Sequence, residues 1–159
     1  MGCDPQRLAT GKLVNNPQHM ALTVSVAPAE LARISAAAYE GQSVRVSLAS
    51  VGITGYTNTS TVTQWDSVKL SGNGYADFTA TVAVGGYDAI DSRYEMGTDA
   101  GANTFINATF TATGGNLVYD RIYVVIGTTH LHSLLYESPA VTLSSGSSIT
   151  YRIQLAVGG

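Results

Sequence analysis

The residues with the most evident chemistry are His130 and His132, in the run His130-Leu131-His132. Residues two apart on a strand share a face, so both imidazoles can reach one metal ion. Such a pair supplies two of the four ligands a tetrahedral site needs, and nothing else in the sequence nominates the others. Three copies meeting on a threefold axis would bring six imidazoles together; otherwise these are two histidines on the polar face of a strand. His130 and His132 stand as metal-ligand candidates, with no metal assigned. The stretch from Tyr87 to Asp99 carries Asp88, Asp91, Glu95 and Asp99. Its oxygen ligands are irregularly spaced and lack the alternating Asp/Asn positions and terminal bidentate Glu of a calcium loop. It reads as a solvated loop.

Catalytic chemistry is harder to place. Serine is abundant, yet none sits in a Gly-x-Ser-x-Gly elbow, and Leu143-Ser144-Ser145-Gly146-Ser147 has the composition of a turn. Asp66, Asp77, Asp120 and Glu137 could serve a two-carboxylate glycosidase, but no spacing selects a pair. A phosphate-cradling G-x-x-x-x-G-K-[ST] loop does not occur. No catalytic residue and no cofactor is assigned, and the expectation is a protein that is not an enzyme. Aromatic residues suggest binding instead. Tyr56, Tyr75, Tyr87 and Tyr94 fall in or beside turn clusters, and Trp65 follows the Thr/Asn-rich stretch 57–64. Rings on loop tips can stack on sugars, so Tyr56, Trp65, Tyr75 and Tyr94 are the glycan-binding candidates. The same residue types anchor protein interfaces, and the plain reading of Trp65 is core packing.

Composition bounds the partners. Of 159 residues, 17 are Gly, 18 Thr and 15 Ser, while only 12% are charged, about half the roughly 25% of an average soluble domain. No apolar run approaches the roughly 20 residues that span a bilayer as a helix, so a membrane is not expected as a partner. A hydrophobic content of 45% can fill a core, which argues against disorder. The net charge is −3, and the six arginines are scattered with only Lys12 and Lys69 beside them. That pattern excludes the basic stripe of a nucleic-acid binder. Cys3 is the single thiol, so no intrachain disulfide can form. The opening Met1-Gly2-Cys3-Asp4-Pro5-Gln6 places Gln6 where a myristoylation signal carries Ser or Thr, and a secretory signal peptide is not expected.

The elements follow from periodicity. Residues 1–19 are aperiodic and read as a flexible N-terminal extension or a cloning remnant; residues 20–159 read as a single domain. Leu22, Val24 and Val26 alternate as a short strand. Pro28 then suits the first turn of a helix near 29–40, with Leu31, Ile34 and Ala38 on one face and Gly41 at the C-cap. Leu31 and Ile34 are the interface candidates, together with the N-terminal arm. Beyond Gly41 the period is two: Val44 to Leu48, Phe78 to Val84, Ile106 to Ala112, Tyr119 to Ile126, Val141 with Leu143, and Ile149 to Leu155. In the fourth of these, Tyr119, Arg121, Tyr123 and Val125 oppose Ile122, Val124 and Ile126, as in a central strand. The last two segments, joined by Ser144-Ser145-Gly146-Ser147, read as a hairpin. Seven to nine short strands parted by Gly-rich turns predict an all-β fold, an antiparallel β-sandwich or jelly roll with one short N-terminal α-helix. With few lysines to block strand edges, the edges are expected to be covered by the helix or paired across subunits.

The order of segments carries a resemblance. Met20-Ala-Leu-Thr-Val-Ser25, the helix Glu30 to Glu40, Gly52-Ile-Thr-Gly55, Gln64-Trp65, Leu70-Ser-Gly-Asn-Gly-Tyr75, Tyr119-Asp-Arg-Ile-Tyr123, His132 to Pro139, and Leu143 to Leu155 follow one another. Over residues 20–155 this resembles small virion structural proteins of tailed phages that infect marine cyanobacteria, above all the group that decorates the capsid exterior as knobs. The likeness lies in texture and segment order, without an invariant motif. It implies a non-enzymatic particle component located on the virion and assembled in the host cytoplasm. Its partners would be capsid or tail proteins and further copies of itself in a homo-oligomer. Capsid decoration comes first, a tail, neck or fibre role second. A carbohydrate-binding module for host-surface glycans is the alternative of a different class.

Overall fold

Period-two alternation after Gly41 becomes nine antiparallel strands among residues 28–88, 93–97, 105–128 and 130–158, which a computed structural model of the protein describes. The elements are α1 (Pro28–Ala37), β1 (Ser43–Ser50), α2 (Val62–Ser67), β2 (Phe78–Thr81), β3 (Ala83–Asp88), β4 (Arg93–Gly97), β5 (Ile106–Thr111), β6 (Leu117–Ile126), β7 (His130–Leu143), β8 (Ser148–Ile153) and β9 (Leu155–Gly158). They form a four-stranded sheet, β2-β1-β6-β7, a three-stranded sheet, β3-β4-β9, and the pair β5-β8. The fold is all-β and sandwich-like with a short helix. The N-terminal extension, Cys3 and the strand expected at Leu22–Val26 lie outside the described residues.

The main core lies between the four-stranded sheet and the other strands. Val44, Val46 and Leu48 of β1 and Ile122, Val124 and Ile126 of β6 meet Ile106, Ala108 and Phe110 of β5, Met96 of β4, Ile153 of β8 and Leu155 of β9. On the opposite face, Ala49, Tyr123 and Val125 pack with Val62 and Trp65 of α2 in a second, smaller core. β1 and β6 are therefore buried on both faces, the central position expected of β6. Tyr119 is the exception. Ala49 pairs with Arg121 but Ser50 pairs with Tyr119, leaving Asp120 as an extra residue. This bulge reverses the parity of the strand. Tyr119 thus enters the main core, apart from Tyr123 and Val125, and its hydroxyl lies 2.6 Å from that of Tyr151. On the other flank, residues 137–140 of β7 face only Asp120, since Tyr119 pairs with Val141 and Arg121 with Tyr136. Pro139 sits in this interruption, where its missing N–H costs no ladder bond.

The hairpin expected from residues 141–155 does not form. β7 pairs with β6 and β8 with β5, in different sheets. The Ser144–Ser147 turn instead crosses the sandwich and bonds to the end of β5: Gly146 N–H donates to the Ala112 carbonyl at 2.7 Å, and Ala112 N–H to Ser147 at 3.0 Å. Chain corners at Val82 and Gln154 likewise pass strands between sheets. Part of the expected 87–99 loop is β-structure, because β3 and β4 pair and Glu95 is buried in β4.

The helix covers Pro28–Ala37, ends in a turn to Gly41 at φ +75°, and packs on β3, β4 and β9. It thus lies against the three-stranded sheet, while the outer strand β7 is broken by its register shifts. α2 was not expected from sequence, although Thr61-x-x-Gln64 is a capping box: Gln64 N–H donates to Thr61 Oγ1 and Thr61 N–H to Gln64 Oε1. No helix among the described residues is long and apolar enough to cross a membrane.

Candidate functional site

Charge converges where the second half of β1 meets the segment after α2. Ser50 N–H donates to the Val68 carbonyl and Leu70 N–H to that of Leu48, so residues 68–70 run beside the strand end. β2 takes the first half of the same edge. Residues 71–77 bridge the two, which returns Asp77 to Lys69. Lys69 Nζ donates to Asp77 Oδ2 at 2.7 Å, and Arg45 Nη1 approaches the same oxygen at 3.4 Å. Tyr75 Oη donates to Asp77 Oδ1 at 2.7 Å while accepting the Leu48 N–H at 2.8 Å. Arg45 Nη2 and Tyr123 Oη both donate to Asp66 Oδ1, at 2.7 and 2.8 Å.

Burial pushes the Asp77 carboxyl up, but hydrogen bonds from Lys69 and Tyr75 outweigh it and hold the group below the usual carboxylate range. Burial, then the carboxylate each hydroxyl faces, pushes the Tyr75 and Tyr123 phenols up. At neutral pH the carboxylate stays ionised and the phenols stay protonated, an arrangement that holds groups in place and is not poised to transfer a proton. Beside it opens a cavity of about 220 Å³ lined by residues 69–72 and 75–77.

The turn that carries this site is locked to two others. Thr113 N–H donates to the Asn73 carbonyl at 2.7 Å, Asn73 Nδ2 to the Asn116 carbonyl at 2.8 Å, and Ser145 N–H to Asn116 Oδ1 at 3.1 Å. Gly74 makes the closest approach: its φ is +75°, and a Cβ there would stand 1.9 Å from Thr113 Oγ1. Gly74→Ala is expected to destabilise the protein by about 2 kcal/mol or more, through left-handed backbone strain and overpacking. Urea unfolding measures this, and an unchanged midpoint contradicts it.

The four glycan candidates do not share a surface. Trp65 is fully buried, its indole N–H donating to the Thr57 carbonyl at 3.2 Å, so it packs the second core and has no face for a sugar. Tyr56 is half-buried against it, ring centroids 5.4 Å apart. Tyr75 is half-buried and stacked on Phe110 at 6.1 Å in the main core. Tyr94 lies in β4, in another sheet. Ile34 is 50% exposed, whereas the side chains of Leu31, His130 and His132 lie outside the described residues. His130 pairs with Ile126, but a register shift leaves His132 as the extra residue between Leu131 and Ser133. The strict alternation behind a shared face is interrupted there. Among the described residues no three His, Cys, Asp or Glu gather as a metal site.

Of the charged cluster, the sequence offers Asp66 and Asp77 only as carboxylates, and no spacing links Arg45 or Tyr123 to them. Lys69 and Asp77 flanking Gly72-Asn73-Gly74 was the available signal, since such a turn reverses the chain. Comparison with known proteins finds no matching family model, no matching curated protein and no matching solved structure.

Proposed function

We propose that the protein is a non-enzymatic structural component of a tailed-phage virion, a decoration or cement protein bound to the outer capsid shell. The observation that carries this reading is how its charge is used. Among the described side chains, Arg33, Arg45, Lys69 and Arg121 each pair with a carboxylate, and Arg152 lies over the Phe105 ring. The outer face of β5-β8 is lined by hydroxyls that bond across the strands: Thr109 to Thr150 at 2.8 Å and Thr111 to Ser148 at 2.7 Å. A subunit present in many neighbouring copies gains from such a face, which offers hydrogen bonds without long-range repulsion. Exposed Ile34 supplies an apolar contact on α1. The likeness in segment order to cyanophage virion proteins supports the same reading. Binding to an assembled shell would add to particle stability by linkage.

Imaging intact virions by electron cryomicroscopy tests this. The sandwich is expected in density at symmetric positions on the head exterior. Density on the tail alone would move it to the tail, neck or fibre role, and absence from the particle would overturn the reading.

A further inference from the structure

We propose that the cleft at the Lys69–Asp77 turn binds a neutral pyranose through two adjacent hydroxyls. Lys69 Nζ carries three N–H groups and uses one on Asp77 Oδ2; Asp77 Oδ1 accepts from Tyr75 and retains lone-pair capacity. Both groups reach solvent, with side chains 28% and 17% exposed. A cationic donor and an anionic acceptor held 2.7 Å apart complement a vicinal diol, in which one hydroxyl donates and its neighbour accepts. Charge-assisted bonds of this kind are the stronger ones.

Three further features select the ligand. Arg45 and Lys69 balance Asp66 and Asp77, so the cluster offers no net charge to a phosphate or an acidic sugar. The cleft, about 220 Å³ and open to solvent, is smaller than the roughly 300–1,000 Å³ of drug-sized ligand sites, which limits the ligand to no more than one ring. The turn is fastened through Asn73 to residues 113 and 116, so little ordering remains to oppose binding. This site relies on an ion pair, with Tyr75 as an apolar flank, and not on the exposed aromatic platform of the alternative carbohydrate-binding reading. It adds recognition to a structural subunit and does not depend on where that subunit sits.

The test is a titration of isotopically labelled full-length protein, followed by amide NMR. The probes are the methyl pyranosides of glucose, galactose and mannose, with inorganic phosphate and N-acetylneuraminic acid as anionic controls. At least one neutral pyranoside is expected to shift amides within residues 69–77, saturating in the millimolar range, while the anions leave them in place. Ser71→Trp, at an exposed cleft residue, and Lys69→Met, which leaves Arg45 on Asp77, are each expected to weaken binding at least tenfold. The remaining amide spectrum should stay native. The proposal is overturned if no neutral pyranoside shifts these amides, if Ser71→Trp binds as well as the native protein, or if an anion binds more tightly. Virion imaging reports on the particle role separately, so failure of one reading leaves the other intact.

Discussion

Replacing Trp65 with alanine is expected to cost about 4 kcal/mol, the range for removing a large aromatic from a core. The melting temperature should fall by about 10 °C for a chain of this size. The magnitude follows from where the indole sits. Its exposure is 0%, and it stacks on Tyr123 with centroids 5.5 Å apart at 29°. Together with Val62 it covers Ala49 and Val125 on the face of β1 and β6 that the main core does not reach. Without it, that face of the two central strands opens to water, and the Thr57 carbonyl keeps only the Ser60 N–H as donor. Trp65→Phe should recover part of the loss, because the ring returns but the N–H does not. Thermal unfolding followed by circular dichroism measures all three proteins. A Trp65→Ala shift of only a degree or two would mean that α2 and its core contribute little.

Asp77→Ala is expected to cost about 2–3 kcal/mol, below the 3–5 kcal/mol of a fully buried broken pair because Asp77 retains some exposure. The substitution leaves Lys69 without its anion and takes from the Tyr75 hydroxyl the acceptor it donates to. Arg45 keeps Asp66. The effect should depend on pH with a defined sign. The Asp77 carboxyl is held below its ordinary value in the folded protein, so it stabilises the fold above the unfolded pKa of about 4. That contribution is lost as pH falls through the lower folded value. Native and Asp77→Ala proteins should therefore differ most near neutral pH and converge in acid. Asp120, bonded to Arg121 and to the Gly52 N–H, is held low in the same sense, so the variant keeps part of the acid sensitivity. Urea midpoints measured from pH 7 to pH 2 give the comparison; a gap that widens in acid would contradict the assignment.

The cluster on which this prediction rests was only partly legible. Lys69 and Asp77 flank a Gly-Asn-Gly turn, and their meeting follows from local reversal. Arg45 is 32 residues from Asp77 and Tyr123 is 57 from Asp66. Neither contact leaves a trace in spacing, because pairing across a sheet is decided by which strands become neighbours. The burial of Trp65 agrees with its plain reading as a core residue. The capping box at Thr61 and Gln64 starts the helix that directs the indole into the fold, and that helix is what the Thr/Asn-rich composition of the stretch conceals.

By itself the sequence determined most of the strand-forming segments, the first helix, many of the turns and the scarcity of charge, but neither β4 nor α2. Each of these is set by a few adjacent residues: alternation at period two, Pro28 ahead of a small-sided helix, and glycine where φ is positive. Tertiary structure alone decided that β8 joins β5 instead of β7, and that Ser144–Ser147 is a crossing. It also decided that Tyr119 belongs to the main core and that Lys69, Arg45 and Asp77 form one site. The physical reason is that periodicity records which residues want burial without recording the surface that buries them. A single extra residue, Asp120, is enough to exchange the two faces of a strand, and no local pattern announces it.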